Sequence, residues 1–276
     1  MDIDKKYIRV GVLGCGAIGS GIAKSISGEL KKFRYQLTAL YDVDPLKSSR
    51  LQKNLHLKNI VRSSFENLLV NCDLVVEAVA SDCTIDLVAR TIKAKKIVLV
   101  MSVGQLLKDL KVLKSAEKYG AKVLIPSGAI AGIDAIKAGS SVKLRSVTLS
   151  SRKPVKAFRN NIYLENKGFD LGKIKKDTVL FSGNVAAAVK AFPQNVNVAA
   201  TLALACGDIS KVKIQLIASP KAKLNSHEIV VKGDFGTIMT KTDNEICPDN
   251  PKTSYLAVLS AIQTLKDYSS VVRIGT

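Results

Sequence analysis

The feature that most constrains the fold is an apolar run, Val10 to Ala23, which contains five glycines in VGVLGCGAIGSGIA. Glycine inside a strand or helix costs roughly 0.5–1 kcal/mol relative to alanine, so this density needs a reason. Three of the glycines form a GxGxxG pattern that follows a predicted strand, IRVGVLG, and begins a predicted helix, AIGSGIAKSISGELKK. In that strand–turn–helix context the pattern predicts a dinucleotide-binding turn. The alternative is a glycine-rich packing turn without a ligand.

Each residue of the turn has a predicted role in cofactor binding. Gly14 permits the tight turn, Gly16 lets the backbone approach a pyrophosphate, and Gly19 lets helix and strand pack closely. The start of the helix, at Ala17 and Ile18, offers free N–H groups and a partial positive charge to the phosphates.

The end of the second predicted strand, QLTALYD, carries the acidic residue that a dinucleotide site needs. Asp42 lies 28 positions after Gly14, where a carboxylate accepts hydrogen bonds from the adenosine ribose and repels a 2′-phosphate. Asp44, just before a proline, is predicted to cap the next helix. Lys47 and Arg50 follow and soften the discrimination against a 2′-phosphate. The sequence therefore predicts NAD as cofactor, with NADP possible.

The first half of the chain alternates β-branched segments with helical ones, which predicts βαβ units and a parallel sheet buried on both faces. We expect a Rossmann-like, doubly wound domain over residues 1–127. The segments after the second strand are a helix DPLKSSRLQKNL, a strand DLVVEAVA, a helix TIDLVARTIKAKK, a strand KIVLVMS, a helix GQLLKDLKVLKSAEKYG and a strand AKVLIPSG.

The pattern then changes, and residues 128–247 predict a smaller α+β second domain. Three consecutive segments, SKVKIQLIASP, HEIVVKG and FGTIMTKT, read as strands that are antiparallel if hairpins join them. The other predicted elements are strands SVKLRSVTLSSRKP and DTVLFSG and helices NVAAAVKAF and VNVAATLALACG. The chain ends in a predicted helix, NPKTSYLAVLSAIQTLKDYSS, with Pro251 near its start.

Composition excludes several classes of protein. The net charge of +19 is evenly spread, with 21 basic and 12 acidic residues in 1–127 and 21 and 11 in the rest. No aromatic ladder or basic tail accompanies these charges, so we expect a solvated lysine-rich surface and no nucleic-acid partner. No apolar run is long enough for a membrane span. The five cysteines have no CxxC spacing, which predicts buried thiols, no metal site and a cytoplasmic protein.

A nicotinamide enzyme needs a group that handles a proton beside hydride transfer, and histidine suits that task near neutral pH. The chain has two histidines. His56 lies in a polar stretch, which predicts a surface residue. His227 lies where a polar loop enters a strand, a position from which a side chain can line a cleft; a satisfied histidine at a sheet edge is the alternative.

Several segments together resemble the L-aspartate dehydrogenase family over nearly the whole chain. Besides the glycine turn, the resemblance rests on IPSGAIAGIDAI, SRKPVKAF, TVLFSGNVAAAVKAFPQNVNVAATLALA, SHEIVV and NPKTS. One position departs from the family pattern, because Ser219 stands where the family has Asp in Ala-Asp-Pro.

The resemblance implies a function and a set of site residues. It makes His227 the catalytic residue, and Ala129 and Asn197 cofactor contacts near the nicotinamide, with Asn195 a neighbour. For Ala129 a simple turn residue, and for Asn197 a helix cap, are the alternatives. The implied reaction is NAD(P)-dependent oxidation of L-aspartate to iminoaspartate, which hydrolyses to oxaloacetate and ammonia or enters NAD biosynthesis. The family also implies a homodimer through the second domain, with the C-terminal helix, 248–276, packed on the first.

Two other classes of function fit the sequence less well. The first is another two-domain amino-acid pathway enzyme, such as a homoserine dehydrogenase or a dihydrodipicolinate reductase, and only the substrate distinguishes it. The second is a nucleic-acid-binding module that senses the dinucleotide, which needs a clustered basic face or a helix-turn-helix.

Overall fold

The computed structural model of the chain describes residues 7–79, 81–193, 195–247 and 250–275. The chain divides into two compact units, Met1–Pro126 with Val258–Arg273 and Ser127–Ala257 with Ile274–Thr276. We call them the first and the second unit. No helix among the described residues combines the length and apolarity that a bilayer crossing requires.

The first unit is built on a parallel sheet with helices in the connections. Its strands, in the order β2-β1-β3-β4-β5, are β1 (Ile8–Leu13), β2 (Tyr35–Tyr41), β3 (Leu74–Glu77), β4 (Ile97–Val100) and β5 (Lys122–Leu124). Its helices are α1 (Ala17–Ser27), α2 (Pro45–Asn54), α3 (Phe65–Val70), α4 (Thr84–Lys93), α5 (Val103–Leu106) and α6 (Lys111–Tyr119).

The strand order reverses between β1 and β3, which makes their carboxyl ends the switch point where doubly wound sheets bind ligands. At the β2 edge of the sheet, an isolated parallel bridge joins Ala39 to Val61. The predicted doubly wound fold is confirmed.

The second unit is built on a mixed sheet in the order β10-β9-β6-β8-β7. Its strands are β6 (Leu144–Pro154), β7 (Thr178–Asn184), β8 (Val212–Ser219), β9 (Asn225–Gly233) and β10 (Gly236–Asn244), followed by a small hairpin of β11 (Ile246–Cys247) and β12 (Asn250–Ser254). Its helices are α7 (Ile133–Gly139), α8 (Ile162–Asn166), α9 (Val185–Ala191) and α10 (Asn197–Ala205).

The expectation of three consecutive antiparallel strands is half wrong. β9 and β10 form a hairpin, but β6 lies between β8 and β9 and pairs parallel with β8. Local patterns cannot reveal such an insertion, because β6 is separated from both partners by long stretches of chain.

The C-terminal helix, α11 (Tyr255–Ser269), begins later than predicted. Pro251 lies within β12 and not at the start of the helix, because the residue before a proline favours extended backbone. From Val258 onward the helix belongs to the first unit, where Ala261 and Leu265 join the core of β1 and α1. The hydroxyl of Tyr35 donates to the carbonyl of Leu265 at 2.8 Å.

Other local predictions need smaller corrections. The helix predicted as GQLLKDLKVLKSAEKYG is two helices, because the carboxylate of Asp109 accepts from the backbone N–H of Lys111 at 3.0 Å and starts a new one. Cys83 is exposed, against the expectation of buried thiols, whereas the other four cysteines are buried and unpaired. The predicted cap is confirmed: Asp44 accepts from the N–H of Leu46 at 3.0 Å.

Candidate functional site

The glycine turn joins β1 to α1 at the switch point of the first sheet, and packing requires two of its glycines. Gly14 has a φ of 91°, and a Cβ there would lie 2.5 Å from the carbonyl oxygen of Ala78. A Cβ on Gly19 would lie 1.8 Å from the carbonyl oxygen of Gly14. These two residues therefore explain the close approach of turn, helix and neighbouring strand without a ligand.

Gly16 is different, because no packing contact among the described residues requires a glycine there. Its φ is −75°, which any residue adopts, and a Cβ there would meet no atom of the described residues within 4 Å. No side chain caps α1, and its first turn contains no acidic residue, so the N–H groups of Ala17 and Ile18 have no side-chain acceptor at the cap. Open space beside uncapped helix donors fits a phosphate group. The turn therefore fits a dinucleotide, and a packing turn alone does not explain Gly16.

Asp42, at the end of β2, is held against this turn. Its carboxylate accepts from the N–H of Cys15 at 2.7 Å and from the N–H of Asp44 at 2.9 Å. A carboxylate has about four acceptor positions, so two stay available for ribose hydroxyls. Asp42 thus positions the glycine turn in addition to its predicted role.

Sequence reasoning missed a second carboxylate at the same edge of the sheet. Glu77 ends β3, is 1% exposed and accepts from the N–H groups of Val79 at 2.9 Å and Ser102 at 3.1 Å. Burial raises its pKa, although these donors oppose the effect. Through these two hydrogen bonds Glu77 connects the loop that follows β3 with the loop that follows β4.

In the second unit, one face of the sheet carries buried or half-buried polar side chains in two adjacent cross-strand rows, which we call the polar rows. Register places Thr242, His227 and Ser151 opposite one another, and Asn244 opposite Asn225 in the next row. Lys153 lies two residues after Ser151 on β6 and so shares this face. Further along the same face the strands are apolar, as in the pair formed by Leu149 and Ile229.

His227 is enclosed within the polar rows and is not at a sheet edge, since β9 has a neighbour on each side. It is 3% exposed, and its Nδ1 lies 2.9 Å from Oγ of Ser151. Burial, with the charge of Lys153 acting in the same direction, lowers the pKa of His227 to about 3. The ring of His227 is therefore neutral at pH 7 in this enclosure. His56, by contrast, is exposed, as predicted.

Lys153 is the other titratable group of the polar rows. It is 6% exposed, and its Nζ donates to Oδ1 of Asn195 at 2.9 Å. Burial lowers its pKa to about 8. Asn195 also lines a cavity of about 670 Å³, whose charged lining residues, Arg159 and Lys190, are both basic.

The loop that contains Ala129 is fastened to β10 beside His227. The carbonyl oxygen of Ala129 accepts from Oγ1 of Thr242 at 2.9 Å and from Nδ2 of Asn244 at 3.0 Å. A Cβ on the preceding Gly128 would lie 3.8 Å from Val198 at the start of α10. Ala129 is thus a turn residue with a fixed position next to the polar rows.

Asn197 is the exposed first residue of α10, and the cap position before it is Val196. The alternative of a helix cap is therefore wrong for Asn197. The contacts of Ala129 with Thr242 and Asn244 place it beside His227, and Asn197 follows two residues after Asn195, the partner of Lys153.

Ser151 and Lys153 are residues of this site that sequence reasoning missed. The sequence did indicate them, because side chains alternate between the two faces of a strand. Ser151 and Lys153 therefore share the buried face of β6 with Val147 and Leu149. Two polar residues on the buried phase of a strand indicate a site.

The serine that departs from the family pattern has a carboxylate beside it. A hydrogen bond from Ser219 is the main cause that lowers the pKa of Asp177, and Arg152 contributes through an ion pair of 2.7 Å. This end of β8 therefore keeps an acidic group although position 219 is serine.

Comparisons with known proteins match both units. Residues 134–268 match the family of aspartate dehydrogenase C-terminal domains, and residues 14–126 match the NAD-binding domain of homoserine dehydrogenase. An L-aspartate dehydrogenase of Methanococcus maripaludis (strain C6) is 44% identical over 272 residues, which cover 98% of this chain and 100% of that protein. One from Methanococcoides burtonii is 41% identical over 274 residues with the same coverage.

A solved structure agrees with these relatives at the level of the fold. The crystal structure of aspartate dehydrogenase from Thermotoga maritima aligns with a TM-score of 0.70 at 22% identity, covering 98% of this chain and 100% of that one. Since the sequence relatives extend over both units, the chain belongs to the L-aspartate dehydrogenase family, and its first unit is an NAD-binding domain.

Proposed function

We propose that this oxidoreductase oxidises L-aspartate with NAD, or with NADP, to iminoaspartate, which water converts to oxaloacetate and ammonia. The observation that carries the proposal is the buried pair of Ser151 and His227, whose ring and hydroxyl lie 2.9 Å apart in a chain of this family. In this proposal the first unit binds the cofactor and the second unit binds the substrate.

A bound nicotinamide cofactor would supply the acceptor for the hydride of the α-carbon, and the first unit would bind and orient it. Gly14, Gly16 and Gly19 shape the turn, while the N–H groups of Ala17 and Ile18 face the pyrophosphate. Asp42 accepts from the ribose hydroxyls. Support comes from the space beside Gly16 and the uncapped start of α1. Ala129 and Asn197 contact the nicotinamide end.

His227 moves the protons of the reaction. To act as a base at Nε2, its ring must carry hydrogen on Nδ1, which then donates to Oγ of Ser151. Nε2 takes a proton from the water that attacks the imine carbon, and it returns a proton to the nitrogen as ammonia leaves. Ser151 is a positioning residue, because it fixes the ring and the tautomer.

The test is an assay of NADH formation by the full-length chain with L-aspartate, L-homoserine and other amino acids, each with NAD and with NADP. We expect L-aspartate to give the highest kcat/KM. A second candidate function, homoserine oxidation, is favoured by the match of residues 14–126 to the homoserine dehydrogenase NAD-binding domain. A higher kcat/KM for L-homoserine would establish that alternative.

We also propose a homodimer through the second sheet. Along β10, residues that face the polar rows alternate with more exposed residues on the opposite face of the sheet. That opposite face carries Met239, which is 69% exposed, and Val179, which is 48% exposed. Exposed apolar side chains on a sheet face are typical of surfaces that a second copy covers.

A cytoplasmic location and a link to NAD biosynthesis complete the proposal. The five cysteines are free, as expected where thiols stay reduced. Iminoaspartate that escapes hydrolysis would supply the biosynthesis of the pyridine ring.

A further inference from the structure

Lys153 is a buried cation whose charge the described residues do not neutralise. Its Nζ donates to the neutral amide oxygen of Asn195 at 2.9 Å. The ion pairs of the described residues do not include Lys153. Burial of an ammonium group without a counter-charge opposes folding, so its retention on the inward phase of β6 indicates an anionic ligand.

The position of Lys153 indicates where that anion binds. Lys153 is two residues from Ser151, which contacts the ring of His227, so it lies on the same face beside the proton-handling group. Its partner Asn195 lines the cavity in which Arg159 and Lys190 are the charged residues. Lys153 itself supplies a positive charge on the buried face beside His227, which suits a carboxylate group.

We propose that Lys153 binds one carboxylate of the dicarboxylate substrate and thereby holds the reacting carbon beside His227. This inference rests on the proposed function, because it assigns a substrate-binding residue to that reaction. Asn195 orients the ammonium group through its amide oxygen, and the remaining N–H donors of Lys153 meet the carboxylate.

A carboxylate bound to Lys153 also changes the pKa of His227. The charge of Lys153 lowers the pKa of His227 in the ligand-free chain, and an anion on Lys153 offsets that charge. The pKa of His227 then rises from about 3, which makes the ring a stronger base only when substrate is present.

The first test compares Lys153→Met with Lys175→Met, a matched loss of an exposed lysine in the same unit. A charged hydrogen bond of this kind is worth roughly 10- to 100-fold, so we expect KM for L-aspartate to rise by that factor in Lys153→Met. The Kd for NADH should stay unchanged in both variants. Because Lys153→Met removes a buried charge, its Tm without ligand should equal or exceed that of the parent.

The second test uses succinate, which has two carboxylates and no amine to titrate. With NADH present, succinate should raise the Tm of the parent. The Kd from this shift should be lowest near pH 7, where both carboxylates are ionised and Lys153 is charged, and it should rise above pH 8 as Lys153 loses its proton near pH 8. Lys153→Met should bind succinate weakly at every pH, and Lys175→Met should behave like the parent.

The two tests separate the two hypotheses. An unchanged KM and an unchanged succinate Kd in Lys153→Met would overturn the assignment of Lys153 even if the parent oxidises L-aspartate. A parent without activity on L-aspartate would overturn the proposed function, whereas the succinate measurement would still decide whether Lys153 binds carboxylates.

Discussion

At the scale of the residue, the prediction that matters most concerns His227. General acid–base help is typically worth about 10²–10⁴-fold, so His227→Ala should lower kcat for L-aspartate by that order with the Kd for NAD nearly unchanged. His227→Asn keeps polarity beside Ser151 but cannot move a proton, and it should lose as much activity. Stopped-flow assays and cofactor titration measure both quantities.

The control is the exposed His56, since His56→Ala should leave kcat at the parent value. If His227→Ala turned over L-aspartate at close to the parent rate, the proton would have to be handled elsewhere.

Asp42 provides a second prediction at this scale, because its carboxylate accepts a hydrogen bond from the glycine turn and is proposed to accept hydrogen bonds from the ribose as well. Asp42→Ala frees the N–H of Cys15, which lies 2.7 Å from the carboxylate, so both cofactors should bind more weakly. NAD should lose more affinity than NADP, because the variant also removes the repulsion of a 2′-phosphate. Isothermal titration of both cofactors gives the ratio, and an equal loss would contradict the ribose assignment.

At the scale of the element, different glycines of the turn between β1 and α1 serve packing and cofactor binding. In the described part of the chain, the Cβ of Gly16→Ala meets no atom within 4 Å, whereas the same change at Gly19 places a Cβ 1.8 Å from a carbonyl oxygen. We therefore expect Gly16→Ala to keep the parent Tm and lose NAD affinity at least tenfold. Gly19→Ala should lower Tm by several degrees, since clashes of this kind cost about 1–3 kcal/mol.

A calorimetric scan without cofactor and an NAD titration distinguish the two variants. Gly16→Ala with full NAD affinity would show that the space beside Gly16 does not hold the pyrophosphate.

The same elements show how far the sequence could be interpreted. β1 to β5 and their longer helices were predictable, because β-branched runs and amphipathic segments alternate at lengths that suit βαβ units. α3 has six residues, too few for a clear helical period, and was missed. The pairing of β6 with β8 depends on contacts between distant segments, so the sequence could not specify it.

The candidate site was predicted only in part, and the reason differs from that for the fold. The glycine turn and Asp42 act through local spacing, and the sequence shows that spacing directly. The polar rows assemble from three strands, so the burial of Ser151 and Lys153 against His227 appears only in the folded sheet. The low pKa of His227 is likewise a property of its enclosure.

At the scale of the whole molecule, the second unit exposes the face of its sheet that the polar rows do not use. Register places Met239 of β10 opposite Val230 of β9 and Val230 opposite Thr148 of β6, which forms a partly apolar cross-strand row. Met239 is 69% exposed in the single chain. A second copy that packs against this row would remove it from water, which is the main favourable term in association.

We therefore expect light scattering at micromolar concentration to give twice the chain mass of 29.6 kDa. Met239→Glu places a charge within the proposed interface and should shift the protein to monomer. Val70→Glu, at a first-unit residue of similar exposure (71%), should leave the dimer intact. Because the polar rows lie on the opposite face, the Met239→Glu monomer should still bind succinate. A parent protein of monomer mass, or a Met239→Glu variant that stays dimeric, would show that this face is not the interface.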